Sequence, residues 1–325
     1  SVDFSTGNID FNGDIVVRRG VRDRFTLRAN NVEVHGLIEA ATVIARQRMR
    51  ALGGFAGRER GAVRVGKVLE AKYLDNVEGE IGSELEFERE IINCDLVVQG
   101  AVRSTNGAIL GGRTVVTGPC HVGQVGSAGG SRTLLMIGAV PRLDPLAAKL
   151  RPVVEKLQAR HRQLGSEAQE IEERIENGTA SPSDREQQTS LMFSVAESER
   201  TLNKAEPALG LLEATIAEAR TVDLTVHRRL HQDAIIGFDG QQYRVINGFK
   251  GPVRVTIDFE ANLLLEDASG PRGTFGELCQ AGELDRTTAP LEESDIPSDR
   301  LSLPDDGDGD PLFAFSKSEE LACAS

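Results

Sequence analysis

The chain has 325 residues, 39% of them apolar, only 4% aromatic and none tryptophan, with a formal net charge of −13. That length allows one extended domain or two compact ones with a sizeable core, while the acidic balance and the lack of a clustered Lys/Arg stripe exclude a nucleic-acid partner. No apolar run approaches the ~20 residues needed to span a bilayer, and no basic-then-apolar signal opens the N-terminus, so the expected location is cytoplasmic.

From Gly7 to about Gly138, short apolar alternations such as Ile15-Val16-Val17, Phe25-Thr26-Leu27, Val32-Glu33-Val34 and Thr42-Val43-Ile44 are split by Gly, Asn or Arg. They predict strands of about three to five residues. Aligning Ile15 with Val32 and Met49, and Phe25 with Thr42, gives a period of about 17 residues, the size of one solenoid coil, with Gly53 to Gly61 as a loop insertion. Inward aliphatic residues would stack coil on coil. Glycines would serve turns that need a positive φ, foremost Gly111, Gly112, Gly126 and Gly138. Cys94 and Cys120 read as small core residues, and four cysteines without metal or CxxC spacing read as reduced thiols.

The run Glu84-Leu85-Glu86-Phe87-Glu88-Arg89-Glu90 predicts one strand with Leu85 and Phe87 inward and its carboxylates outward. A calcium or acid/base site is the functional alternative to a solvated face that discourages edge pairing. Gly107 to Thr114 is spelled nearly like a phosphate-binding loop, but Arg113 replaces the lysine and Val115-Val116 continues as strand where a helix is needed.

Between Leu146 and Ile175, apolar residues at Leu146, Leu150, Val153, Leu157, Leu164, Ala168, Ile171 and Ile175 approximate the three-four spacing of a coiled-coil seam, interrupted at Arg160 and His161. The returning stretch is cleaner: Leu191, Val195, Ser198, Leu202, Ala205, Leu209, Leu212 and Ile216 keep the spacing throughout. Asn177-Gly178 should end the first helix, and Ser181 before Pro182 should cap the second. Two antiparallel helices of about 30 residues would extend roughly 45 Å, with a kink at Pro207 and Gly210. The seam residues expected to matter most are Leu150, Leu157, Leu164, Ile171, Leu191, Val195, Leu202 and Leu209.

Strand patterning resumes at Val222 to Val226, Ala234 to Gly237, Tyr243 to Val245 and Val253 to Ile257, with Phe238-Asp239-Gly240-Gln241 as a hairpin turn. His227 and His231 have a helical metal spacing but sit in extended sequence, so surface histidines are expected. Beyond about Asp267, glycine, proline, serine and acids rise. Asp285 to Ser325 holds eleven acids against three bases, and disorder is expected. Within it Asp306 to Asp310 imitates the start of a calcium loop, but Pro311 stands where the turn glycine belongs. No nucleophile elbow, metal set or cofactor motif appears.

The segments Asp3 to Ile15, Ala108 to Arg113, Gly126-Ser127 and Thr133 to Gly138, in their order ahead of a helical hairpin and a closing β segment, closely resemble the flagellar assembly protein A family over about residues 1 to 262. The resemblance implies a mainly β chain, a right-handed parallel β-helix interrupted by a long antiparallel α-helical coiled-coil hairpin, in a bacterial protein with no known catalytic residues. The patterns along the chain divide it into a β-helix (1–140), a coiled-coil hairpin (141–220), a closing β segment (221–266) and an acidic disordered tail (267–325). Arg46 to Arg50 and Arg58 to Arg60 replace turn glycines common in the family, so irregular coils are expected there. The expected role is a non-enzymatic scaffold or regulator with protein partners, a homo-oligomer among them, and with no cofactor, metal, nucleic acid or membrane span. The alternatives are a β-helical enzyme acting on acidic polysaccharide, which would need a basic, aromatic-lined groove and paired carboxylates, and a solenoid that stacks end to end into filaments.

Overall fold

A computed structural model describes residues 1–140, 143–219, 222–258 and 262–287. The chain divides into two units: residues 1–139 with the chain from Thr221 onward, and residues 140–220.

The first unit is a parallel β-solenoid whose coils each present three ladders. One is built of single inward residues: Val2 bridges Val21, which bridges Ile38, which bridges Phe55. The stack continues through Leu74, Ile91, Ile109, Val125 and Leu230. All of these are at most 1% exposed, because a period-two strand turns every second side chain into the lumen. A second ladder stacks Leu27 on Val43 and Val63, and a third stacks Val32, Met49, Leu69, Leu85, Val102, Cys120 and Leu224.

The 17-residue period holds where Ile15 pairs with Val32 and Val32 with Met49. It slips where Phe25 was aligned with Thr42: Thr42 pairs with Thr26, because the register shifts between Ala29 and Asn31. The Gly53 to Gly61 insertion is not a free loop. Phe55–Val65 is strand throughout, and the register shift between Ala56 and Gly61 absorbs the extra residues as a bulge, with Arg58 at φ 46°. In neighbouring coils Asn76, Asn93 and Gly111 take the same corner at positive φ. The Glu84 run also breaks: Glu84–Phe87 buries Leu85 and Phe87, but the strand ends there and Glu90–Val98 starts the next side.

Gly111, Gly112, Gly126 and Gly138 lie at φ 75°, 72°, 77° and 63°. At Gly112 a Cβ would stand 2.2 Å from the Cys94 carbonyl oxygen of the coil beside it, so crowding and conformation both demand glycine. The phosphate-loop spelling dissolves into the single strand Ala101–Val116, and Arg113 lies 4.0 Å from Asp95.

The helical unit is spliced into the corner between two sides of one coil. Thr133–Ile137 precedes it, and Asp223–Leu230 follows it and stacks on Cys120–Val125, pairing Cys120 with Leu224. From there the sheet turns antiparallel. Gln241–Val245 folds back on Ala234–Phe238 through Asp239 and Gly240, both at positive φ. Val253–Ile257 pairs with Asp223–Leu230, Leu263–Asp267 with Val253–Ile257, and Gly270–Thr274 with Leu263–Asp267.

The disorder expected from Asp267 is overturned as far as Thr287. A short helix, Phe275–Gln280, buries Phe275 and Leu278, three apart on one turn, and Thr274 and Glu277 form a capping box at its start. Leu284–Thr287 then pairs with Gln241–Val245. Glycine and proline in this stretch serve tight turns between short ordered pieces. Residues 288–325, with Asp306 to Asp310 and Cys323, lie outside the described residues.

The second unit is a hairpin of two helices, α1 (Asp144–Glu176) and α2 (Pro182–Ala219). Arg151 bonds Glu213, Gln158 bonds Glu206, His161 bonds Ser198 and Arg174 lies 3.6 Å from Asp184. The falling partner numbers make it antiparallel. Gly178 at φ 71° accepts the chain from α1, and Ser181 caps α2 by accepting from the Asp184 N–H at 3.3 Å while its own N–H donates to Asp184 Oδ2 at 2.7 Å. α2 runs unbroken through Pro207 and Gly210.

Candidate interaction surfaces

Two surfaces carry the groups that sequence reasoning singled out. On the solenoid, the residues flanking the third ladder point outward and mix both charges along the stack, with two carboxylates, Glu70 and Glu86, adjacent in register. Register places Glu33, Arg50, Glu70, Glu86, Arg103 and His121 side by side on successive coils, about 4.8 Å apart. Arg50 clamps two coils at once, its Nη1 donating to Glu33 Oε2 and its Nε to Glu70 Oε2, each at 2.9 Å. His35 Nε2 meets the other oxygen of Glu33 at 2.6 Å. These bonds, that of His35 foremost, hold the Glu33 carboxyl below its ordinary pKa. Arg103 donates to Glu84, and His121 Nε2 lies 3.0 Å from Asp223 across the splice. Opposite charges on neighbouring strands at most of these steps discourage strand slippage and bring the face close to neutrality.

That neutrality decides what the face can do. A glycosidase pair needs one carboxyl held protonated and a groove that receives sugar; here Glu33 is stabilised as the anion. The recess beside Arg50 is lined by Glu70, Lys72, Glu86, Arg103 and Ser104, with Phe87 as its one aromatic residue. Among the described residues no group of three or more His, Cys, Asp and Glu is placed to hold a metal ion. His227 and His231 sit in and just past the strand Asp223–Leu230, where four residues of extended chain span about 13 Å, too far for one ion. Cys94 and Cys120 are buried thiols, and burial pushes the Cys120 thiol up to about 12, so it is inert.

The second surface is the hairpin. Inward positions on α1 are Ala147, Leu150, Val154, Leu157, His161, Leu164, Ala168, Ile171 and Ile175, an unbroken three-four alternation. This corrects the expected seam twice. Ala147 and Val154 occupy it in place of Leu146 and Val153, the latter 49% exposed. His161 is a seam residue rather than an interruption: its Nδ1 lies 2.7 Å from Ser198 Oγ, which donates onward to the Val195 carbonyl at 2.8 Å. Counting strictly back from Ile171 would have found all three; the polar identity of His161 hid them. On α2, Leu191, Val195 and Leu209 are half-buried and Leu202 buried, as Leu150, Leu157 and Leu164 are half-buried and Ile171 buried on α1. Val140, Ala147 and Ile216 close the root of the hairpin with Leu143 and Leu212. Sequence reading missed Met192 and Phe193, which stand on the outside of α2. No described helix is long and apolar enough to cross a membrane.

Comparison with known proteins gives one match. The model of the flagellar assembly protein A (FapA) β-solenoid domain fits residues 1–262; no curated protein and no solved structure matches the chain. The matched span includes the parallel coils, the helical hairpin spliced between Ile137 and Asp223, and the first antiparallel strands that close the stack. By its β-solenoid domain, the chain belongs to the flagellar assembly protein A family.

Proposed function

We propose that this chain is a non-enzymatic scaffold or regulator of flagellar assembly, working in the cytoplasm through protein contacts made by the outer faces of its β-helix and by its coiled-coil arm. The observation that carries the reading is the arm itself: a hairpin of roughly 50 Å is inserted at one corner of a coil whose strands stack without interruption across the splice. An element that the solenoid does not need for closure is available for reach. The charged ladder supports the same reading, since it offers an extended polar surface on which Glu33 is held as the anion. End-to-end stacking is disfavoured because the antiparallel cap of Val253–Ile257 and Leu263–Asp267 occupies one end of the solenoid. Site-specific photo-crosslinking in cells tests the proposal, with the photoreactive residue at Phe193, at Glu86, and at buried Leu85 as control. Protein adducts at the two surface positions and none at Leu85 are expected; absence of adducts at both surface positions would overturn the proposal.

A further inference from the structure

The outer side of α2 carries large apolar groups that its own hairpin leaves uncovered. Met192 is 63% exposed, Phe193 75% and Leu211 72%. Phe193 and Leu211 are 18 positions apart, which is five full turns of a 3.6-residue helix, so they lie on one line about 27 Å long. Arg200 and Lys204 fall on the same line between them, so this face of a helix packed on its opposite side has apolar ends around a charged centre.

The line is nearly its own reverse. Turned end for end about a point between Thr201 and Leu202, Met192 falls on Leu211, Phe193 on Gly210 and Glu199 on Lys204. A Cβ built on Gly210 would meet nothing within 4 Å, so the surface there is open, and beside Leu211 it offers a shallow seat for an aromatic ring. Glu197 would fall near Glu206, but Gln158 of the same hairpin already holds Glu206 at 2.7 Å and draws it toward α1. Such reversal symmetry is what an isologous two-fold contact requires, since each group must find its complement on an identical surface.

We propose that the occupant of this face is a second copy of the chain: the α2 helices of two arms pack antiparallel about a two-fold axis at the level of Thr201. Phe193 of each copy seats over Gly210 and against Leu211 of the other, and Glu199 of each meets Lys204 of the other. This rests on the reading of the arm as a protein-contact element and names its partner.

Sedimentation or light scattering of the full chain over a range of concentrations tests it. The intact chain is expected to dimerise, and Phe193→Glu, at an exposed position the fold does not need, should raise the dissociation constant by at least about tenfold, as loss of a central aromatic anchor does. Glu199→Lys and Lys204→Glu should each weaken the dimer, and the two combined should restore it. A chain monomeric at all concentrations, a dimer indifferent to Phe193→Glu, or a charge swap that fails to restore association would each overturn the contact. If the chain is a monomer yet Phe193 crosslinks to a different protein in cells, the scaffold reading stands and this contact is wrong.

Discussion

Leu85 sits in the middle of the third ladder, fully buried, with Leu69 in register on one side and Val102 on the other. Leu85→Ala removes three carbons, about 2.4 kcal/mol at ~0.8 kcal/mol per methylene, and leaves a cavity that the stacked strands on both sides hold open, bringing the total to roughly 2–5 kcal/mol. In a stack where each coil touches only its neighbours, that loss falls on two adjoining interfaces rather than on the whole molecule. Hydrogen exchange reads this directly. Amides in Val68–Ala71, Glu84–Phe87 and the start of Ala101–Val116 should exchange roughly 30- to several-thousand-fold faster, at about 1.4 kcal/mol per factor of ten, while those of α1 and α2 stay unchanged. Val153→Ala, at a half-exposed position on α1 outside the proposed contact, is the control and should move stability by no more than about 0.5 kcal/mol. An unchanged exchange rate in those three strands, or equal acceleration in the helices, would refute the stacked, quasi-one-dimensional account.

Gly112→Ala forces a Cβ against the Cys94 carbonyl in a left-handed conformation and should lower thermal stability by several degrees, as the melting temperature of the variant will tell. His161→Leu replaces a polar seam residue with an apolar one while Ser198 keeps its bond to the Val195 carbonyl; the hairpin should gain about 1 kcal/mol in chemical denaturation, and a loss would mean that the His161–Ser198 bond outweighs apolar burial. Hydrogen bonds and ion pairs hold the carboxyls of Glu33, Asp184 and Glu277 below their ordinary values. Their contribution is fully present above about pH 5 and is lost as pH falls through the lowered values, so circular dichroism should show stability dropping on acidification below about pH 5 and flat above it.

How much of this was legible in the sequence depended on how local the signal was. Period-two aliphatic runs and their 17-residue recurrence marked the coils, because a lumen filled mainly by stacked Val, Ile and Leu writes the same pattern on every turn. What failed was register within a coil. The shift at Ala56 to Gly61 lies at the corner where Arg58 is left-handed, and Asn76 and Asn93 hold the same corner as Gly111 does, whereas the shift at Ala29 to Asn31 adds one residue at a different corner. Counting glycines therefore missed corners held by asparagine and arginine. The stretch past Asp267 was misread for the opposite reason: its order rests on Phe275, Leu278 and Leu284 joining a core built far away in sequence, and no local periodicity announces that. On the arm, apolarity stood in for geometry. His161 looked like a break because it is polar, whereas Phe193 passed unnoticed because a single apolar residue off the seam has no periodic partner until Leu211, five turns away.

The measurement that tests the central claim most directly is flagellation of cells whose only copy of the protein has residues 143–217 replaced by a short Gly/Ser linker, with the purified variant checked by hydrogen exchange for an intact solenoid. The account predicts that the solenoid keeps its protection and that flagella are lost or sharply reduced, because the arm acts by contact and the solenoid positions it. Normal flagellation from an armless, folded solenoid would contradict it.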